Sequence, residues 1–279
     1  MEELVYEFLL SGIGVALLVS VLLCGAIRFG AGYDTGARLA GLAIGVAFLV
    51  AYINLFDWPT WPPRSASQKV GYLVLIGLVA GGVLDWLDKR PPEITGRLAP
   101  VLLPAIIFGW IGWREITSFD VEGLMILAVL WLAGRFVFVR LQDVGQNRNA
   151  AVGAVLVLAA SVGISAIAFI GSAASQAQLA GLLAAAAGGF LVWNWPTPRF
   201  VFGQAAVFAA ATALTAIATT IALYTDADRL AMGLILAVFL APSVLAFKPL
   251  AGKPALQSLA VGGVTLLPVA LAVAVALIS

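Results

Sequence analysis

The chain has 279 residues, of which 62% are hydrophobic and only 10% are charged, with a net charge of +1. A soluble domain carries about 25% charged residues, so this composition indicates an integral membrane protein and gives no sign of a nucleic-acid partner. Histidine is absent, and the single cysteine, Cys24, lies within an apolar run. These counts exclude the commonest general base and metal ligand, an intrachain disulfide and a zinc cluster.

Ten apolar segments approach the length of about 20 residues that crosses a bilayer. No remaining stretch is long enough for a soluble domain, so we expect one all-α transmembrane domain over residues 1–279 with about ten helices. The N-terminal region of the first segment, MEELVYE, is acidic, which favours a retained helix over a signal peptide. The segments are 4–27, 36–56, 70–87, 98–114, 121–141, 150–172, 177–195, 201–223, 229–247 and 256–278.

The basic residues predict the orientation, because Lys and Arg collect in short cytoplasmic loops. The connections after the odd-numbered segments carry ten of them: Arg28, Arg38, Lys89, Arg90, Arg97, Arg140, Arg148, Arg199, Lys248 and Lys253. The connections after the even-numbered segments carry four: Arg64, Lys69, Arg114 and Arg229. We therefore expect both termini on the extracytoplasmic side.

Two loops rich in Trp and Pro, FDWPTWPPR (56–64) and LVWNWPTPR (191–199), stand between apolar segments. Trp collects at membrane interfaces and Pro ends helices. For the first loop, we favour the interpretation that it anchors the chain at the interface.

A weak internal repeat supports a transporter as one hypothesis. ARLAGLAIG (37–45) is similar to AQLAGLLAA (177–185), and Pro104 and Pro242 fall inside segments 4 and 9. Inverted repeats with interrupted helices are typical of secondary transporters. A small-solute transporter or lipid flippase would then use Arg135 near its midplane. Arg135 lies within segment 5, where a charged side chain usually has a partner or lines a water-filled cavity. Alternatively, its side chain extends toward the cytoplasm, as that of Arg140 would.

Four loops in chain order carry a resemblance to a known family: GARLAGLAIGV (36–46), AGGVLDWLDKR (80–90), WLAGRFVFVRLQDVG (131–145) and GGFLVWNWPTPRFVFGQAA (188–206). Together they resemble the polyprenyl-phosphate N-acetylhexosamine-1-phosphate transferases of glycosyltransferase family 4. That family includes phospho-MurNAc-pentapeptide transferase and the bacterial GlcNAc-1-phosphate transferases. Its members have ten helices with both termini outside, and they couple a sugar nucleotide to a lipid phosphate on the cytoplasmic face.

The first two motifs are kept in part. Arg38 opens segment 2 and is followed by Gly41, where the family has an Arg followed by paired glycines. Segment 3 ends with Asp85, but Trp86 stands where the family has a second acid, and Asp88 follows close by.

The later motifs depart further from the family. RLQDVG (140–145) keeps only Asp143 of an acid-rich loop. NWPTPRFVFGQAA (194–206) keeps the family's frame with one extra residue, but Gln204 replaces the metal-binding acid. The family's His-rich loop has no counterpart in LAFKPLAGKPALQS (245–258).

The resemblance implies a bacterial inner-membrane protein that keeps the scaffold without the catalytic residues. Transfer between pyrophosphate and lipid phosphate needs a divalent cation held by carboxylates, and a neutral Gln is a weaker ligand. Our leading hypothesis is a non-catalytic binding, regulatory or assembly subunit of envelope glycan synthesis that needs no cofactor. Its partners would be a polyprenyl phosphate and other proteins of envelope glycan synthesis. The resemblance to the family also implies a homodimer. The expected binding residues are Arg38, Arg135, Arg140, Asn194, Arg199 and Gln204.

The alternative within the same family is an active sugar-1-phosphate transferase with a rebuilt site. Asp85, Asp88 and Asp143 would then hold one magnesium ion and support release of UMP from a UDP-sugar.

Overall fold

The computed structural model describes residues 11–86, 93–118, 121–145 and 149–279, and these form helices and loops without a strand. The start of the first predicted segment and Asp88 lie outside the described residues. In chain order the helices are α1 (Gly12–Gly30), α2 (Tyr33–Leu39), α3 (Leu42–Phe56), α4 (Ala66–Trp86), α5 (Glu93–Ile111), α6 (Trp113–Ser118), α7 (Val121–Gly145), α8 (Ala150–Ile170), α9 (Ala174–Asn194), α10 (Gln204–Tyr224), α11 (Arg229–Ile235) and α12 (Pro254–Ile278), with 3₁₀ helices at Leu236–Ala246 and Lys248–Leu250.

Eight of the described helices are long and apolar enough to cross a membrane: α1, α4, α7, α8, α9, α10, α11 with its 3₁₀ continuation, and α12. Two shorter apolar helices, Leu42–Phe56 and Leu98–Ile111, accompany them. A hydrocarbon core about 30 Å thick leaves backbone groups without water partners, so helices that satisfy those groups internally are the form that such apolar segments take. The chain is therefore an all-helical, multi-pass membrane protein, as the composition predicted.

The contacts between helix ends show that α4 runs antiparallel to the central helix, α10, whereas α5 runs parallel to it. The carboxylate of Asp85, at the C-terminus of α4, accepts a hydrogen bond from the N–H of Gln204, at the N-terminus of α10. At the other end of α10, the hydroxyl of Tyr224 donates to the carbonyl of Ile111, at the C-terminus of α5. We call the first of these the junction end of the bundle and the second the opposite end.

The basic residues follow this division, because each loop places its charges at one end of the bundle. The junction end carries the described positions Arg28, Arg38, Arg140, Arg199 and Lys253. The opposite end carries Arg64, Lys69, Arg114 and Arg229.

Helix α10 forms the centre of the bundle. In its most apolar stretch 89% of the residues are buried, against 22–67% for the other candidate spans. Its alanines and threonines are small enough for neighbouring backbones to come close. A Cβ on Gly77 of α4 would lie 2.9 Å from the carbonyl oxygen of Phe208, so a glycine is required at this contact. The hydroxyls of Thr219 and Thr220 donate to carbonyls one turn earlier, which satisfies them inside the bundle.

Two segments that we expected to be continuous are interrupted. Segment 2 divides into α2 and α3 at Ala40 and Gly41, where the backbone meets the start of α10. Segment 9 changes from α-helix to 3₁₀ helix at Leu236. Pro242 lies in that 3₁₀ stretch and lacks the N–H that an α-helical bond to Val238 would need.

The boundary of segment 8 also differs from the prediction. Residues 201–203, which we assigned to the span on their apolar character, belong to a loop, and α10 begins at Gln204. The reason is tertiary, because these residues pack against other helix ends at the junction end.

Candidate functional site

The loop of residues 195–203, which we call the junction loop, is held from inside by Asn194. This side chain is wholly buried at the end of α9. Its Oδ1 accepts hydrogen bonds from the N–H groups of Arg199 (3.0 Å) and Phe200 (2.9 Å), and its Nδ2 donates to the carbonyl of Phe190 (3.0 Å). Asn194 therefore sets the path of the loop, and its oxygen is already engaged with the backbone.

Aromatic side chains fix the same loop to α9. Phe200 and Phe202 are buried, and both rings lie close to that of Phe190, with centroids 6.3 and 6.0 Å away. The ring of Phe202 also packs on Gly153 of α8, where a Cβ would lie 2.7 Å from it. Two apolar anchors inside a polar-looking motif thus tie the junction loop into the core.

The junction loop also pairs with the segment that carries Arg38. The N–H of Val201 donates to the carbonyl of Ala37 (3.0 Å). Because Arg38 follows Ala37 and Arg199 lies two residues before Val201, this bond brings the two arginine-bearing segments side by side. Arg199 is exposed and Arg38 is half-buried.

Asp85 closes the N-terminus of α10. Its two carboxylate oxygens accept hydrogen bonds from the N–H groups of Gln204 (2.9 Å) and Ala205 (2.8 Å). Such a carboxylate satisfies donors that the first turn of a helix leaves free and interacts favourably with the helix dipole. Arg38 interacts electrostatically with the same carboxylate. The acid that the resemblance assigned to catalysis is thus a helix cap supplied by another helix.

Two glycines permit this approach. A Cβ on Gly203 would lie 2.6 Å from Oδ2 of Asp85, and a Cβ on Gly81 would lie 2.7 Å from the Cα of Ala205. Both separations are shorter than atoms in van der Waals contact allow. Gly81 and Gly203 were not predicted from the sequence as site residues. The paired glycines at 81–82 and the glycine directly before Gln204 could have indicated them.

Gln204 takes part in the site through its backbone. Its N–H bonds to Asp85, whereas its side-chain Oε1 is buried and has no hydrogen-bond partner among the described residues. A buried acceptor without a partner is unusual in a folded protein.

Arg140 and Asp143 form a separate pair on α7. The Nε of Arg140 donates to the carbonyl of Phe239 (3.0 Å), and its Nη1 lies 3.8 Å from Oδ2 of Asp143. The side chain of Asp143 is 58% exposed, so this ion pair contributes little to stability. The end of α7 reaches the junction loop through Gly145, where a Cβ would lie 2.9 Å from the carbonyl oxygen of Phe202.

Arg135 does not share this cluster. It precedes Gly145 by ten residues, or about 15 Å of helix, and its side chain is exposed on the outside of the bundle.

The three acids considered as magnesium ligands do not form a ligand set among the described residues. Both oxygens of Asp85 accept backbone N–H groups, Asp143 is paired with Arg140, and Asp88 lies outside the described residues. No group of three or more His, Cys, Asp or Glu side chains suited to a metal occurs in the part of the chain that the structure describes.

An apolar groove of about 760 Å³ leads away from the junction loop between α8, α9 and α12. Trp195 of the junction loop and Ser258 in the second turn of α12 bound it at the junction end, and it extends to Val162 and Val269 within the membrane-spanning region. Gly188, Gly262 and Gly263 make room for it on the facing helices. The groove therefore runs from the junction loop into a hydrocarbon-lined interior.

No protein-family model matches the chain, and no curated protein matches it.

Proposed function

We propose that this protein binds a polyprenyl phosphate at its junction end and has no sugar-phosphate transferase activity of its own. It acts as a binding, regulatory or assembly subunit of envelope glycan synthesis in a bacterial inner membrane. The observation that carries the proposal is the use of Asp85 as the cap of α10, with neutral Gln204 next to it.

This arrangement supports a non-catalytic role because it gives the retained acid a structural function. A transferase must offset the charges of a pyrophosphate and a lipid phosphate with a divalent cation and its carboxylate ligands. Here the carboxylate of Asp85 faces two backbone donors and Arg38 instead.

The binding of a phosphate is supported by Arg199 of the junction loop and by Arg38 on the segment beside it. The guanidinium group matches phosphate oxygens with paired donors. Arg38 and Arg199 lie on segments joined by the bond from Val201 to Ala37. Of the arginines expected to bind a phosphate, these two form the proposed headgroup site.

The apolar groove supports an isoprenoid chain as the rest of the ligand. It begins at Trp195, within the junction loop, and its lining is hydrocarbon along most of its length. A phosphate held at the loop and a chain held in the groove would belong to one lipid.

The orientation belongs to the same proposal. Ten membrane-spanning segments with both termini outside would place the junction end, which carries the larger share of basic residues, in the cytoplasm. Accessibility of single cysteines introduced at Arg199 and at Arg64 to a membrane-impermeant thiol reagent tests this, with Cys24 replaced by Ala.

Binding of undecaprenyl phosphate to the full chain in nanodiscs is the direct test, with undecaprenol as the control for the chain alone. Charge-assisted hydrogen bonds are worth about 1.5–3 kcal/mol each, so Arg38→Gln combined with Arg199→Gln should weaken binding about tenfold or more. The matched pair Arg64→Gln with Arg114→Gln, at the opposite end, should leave affinity unchanged. Equal affinity of all three proteins would reject the headgroup site.

A UMP-release assay tests the non-catalytic part. With undecaprenyl phosphate, UDP-N-acetylhexosamines and magnesium, we expect no turnover. Turnover that disappears in Asp85→Asn would overturn the proposal in favour of a rebuilt transferase site.

A further inference from the structure

Arg135 lies near the middle of the membrane-spanning region. Its neighbour Gly134 packs on Thr215, where a Cβ on the glycine would lie 2.8 Å from Cγ2 of the threonine. Thr215 is close to the centre of α10, a helix of 21 residues. At 1.5 Å per residue α10 is about 31 Å long, which matches the hydrocarbon thickness of a bilayer. The position of Arg135 is therefore about 15 Å from either membrane surface.

The side chain of Arg135 points away from the bundle. It is exposed, whereas Gly134, Val137 and Phe138 beside it are buried. Arg135 makes no hydrogen bond or ion pair with any other residue that the structure describes. Arg140, one and a half turns later, has a carbonyl and a carboxylate as partners. An ionised group in hydrocarbon without a partner is unfavourable, and such residues usually mark a functional contact.

The residues around Arg135 form a regular outer stripe. Ala128, Leu132 and Val139 are exposed with it at a spacing of four, three and four residues, which places all four on one face of α7. The three others are apolar, and Ala128 is small enough for a neighbouring helix to come close. The stripe thus has the pattern of a helix-packing surface with one positive charge.

We propose that this stripe of α7 binds a transmembrane helix of a different protein that carries an acidic residue at mid-membrane. The depth of Arg135 favours a carboxylate on a helix over a lipid phosphate, because lipid phosphates lie at the membrane surface. A second copy of the chain fits less well. The described acids on its long helices, Asp85, Glu93, Glu122 and Asp143, lie near helix ends and not at this depth. The inference does not rest on the proposed lipid binding.

A model peptide supplies the test. The full chain is reconstituted in phosphatidylcholine vesicles with a labelled leucine–alanine transmembrane peptide that has a single central Glu, and association is followed by energy transfer. Peptides with Gln or Leu at the centre are the controls. We expect the Glu peptide to associate about tenfold more tightly than the Gln peptide. Arg135→Gln should abolish this preference, and Arg114→Gln, an exposed arginine at the opposite end, should keep it.

Three results would overturn the proposal. The Glu and Gln peptides could associate equally with the natural protein, or the preference could survive Arg135→Gln. In the third, phosphatidic acid added to the vesicles could remove the preference, which would identify a lipid phosphate as the occupant. Undecaprenyl phosphate binding measured on Arg135→Gln should be unchanged, so failure of either proposal is recognised separately.

Discussion

The two Trp- and Pro-rich loops have nearly the same composition, yet the structure uses them differently. FDWPTWPPR (56–64) connects α3 to α4 at the opposite end, and LVWNWPTPR (191–199) leads from α9 into the junction loop. Each contains a cis Trp–Pro peptide, two tryptophans and an arginine. The difference between them lies in what holds each loop.

The loop of residues 57–65 is held from outside. The hydroxyl of Tyr72 donates to the carbonyl of Pro59 (2.8 Å), and Oε1 of the half-buried Gln68 accepts from the N–H of Arg64 (2.7 Å). Trp58 and Trp61 are 67% and 76% exposed. The bond to Gln68 is exposed and competes with water, and the tryptophans are free to contact lipid headgroups.

The junction loop is held from inside, by a buried amide and two buried rings. A side-chain amide that accepts hydrogen bonds from buried backbone N–H groups is hard to replace. Without it, each N–H group is buried without an acceptor and costs its full desolvation free energy. Composition alone therefore does not separate an anchor from a site. Substitutions in the two loops and at the start of α10 should differ in their effect on stability.

Asn194→Ala should have the largest effect. It leaves the buried N–H of Phe200 and the N–H of Arg199 without their acceptor, which should lower the free energy of unfolding by about 2–4 kcal/mol. Denaturant or thermal unfolding in detergent measures the loss. Thr197→Ala, in the exposed part of the same loop, should change stability little, and similar losses in both variants would contradict an internal anchor.

Gly81→Ala should come next, because its new Cβ would meet the backbone of α10 at Ala205. We expect a loss of about 1–3 kcal/mol from overpacking. Gly82→Ala is the matched control. The nearest atom to its Cβ is the end of the Leu42 side chain, which can move. This substitution should be neutral or stabilise α4 by up to about 1 kcal/mol. The same unfolding measurement compares the two variants. Equal losses of stability would contradict a close contact between Gly81 and the backbone of α10.

Asp85→Asn should lower stability by about 1–2 kcal/mol, since an amide replaces the charged acceptor of two N–H groups and the partner of Arg38. Asp226→Asn, exposed near the opposite end, serves as the control. A stable Asp85→Asn protein would show that the carboxylate is kept for a purpose other than capping α10.

Gln68→Ala should have the smallest effect, at most about 1 kcal/mol, because water can replace its exposed bonds to Thr60 and Arg64. A loss equal to that of Asn194→Ala would remove the distinction between the two loops. Unfolding of the two variants side by side decides it.

The resemblance drawn from four separate motifs placed Arg38, Asp85 and Gln204 in one site, and the structure brings these residues together. It did not predict how they interact. The carboxylate of Asp85 caps α10 because Gly81 and Gly203 allow the approach, and no local pattern shows that distance. Asn194 was expected at the site as a binding residue, and its role in the path of the loop depends on the buried N–H of Phe200, six residues later.

The sequence by itself determined that the chain is a bundle of membrane helices, because apolar length and the need to satisfy the backbone in hydrocarbon leave few other solutions. It also determined that the basic residues collect in alternate loops. Only the tertiary structure decided which residues of those loops are buried, where α2 and α3 separate, and that Arg135 faces outward while Arg140 has partners. These outcomes depend on contacts between residues far apart in the chain, and the distances between such residues are set by helix packing.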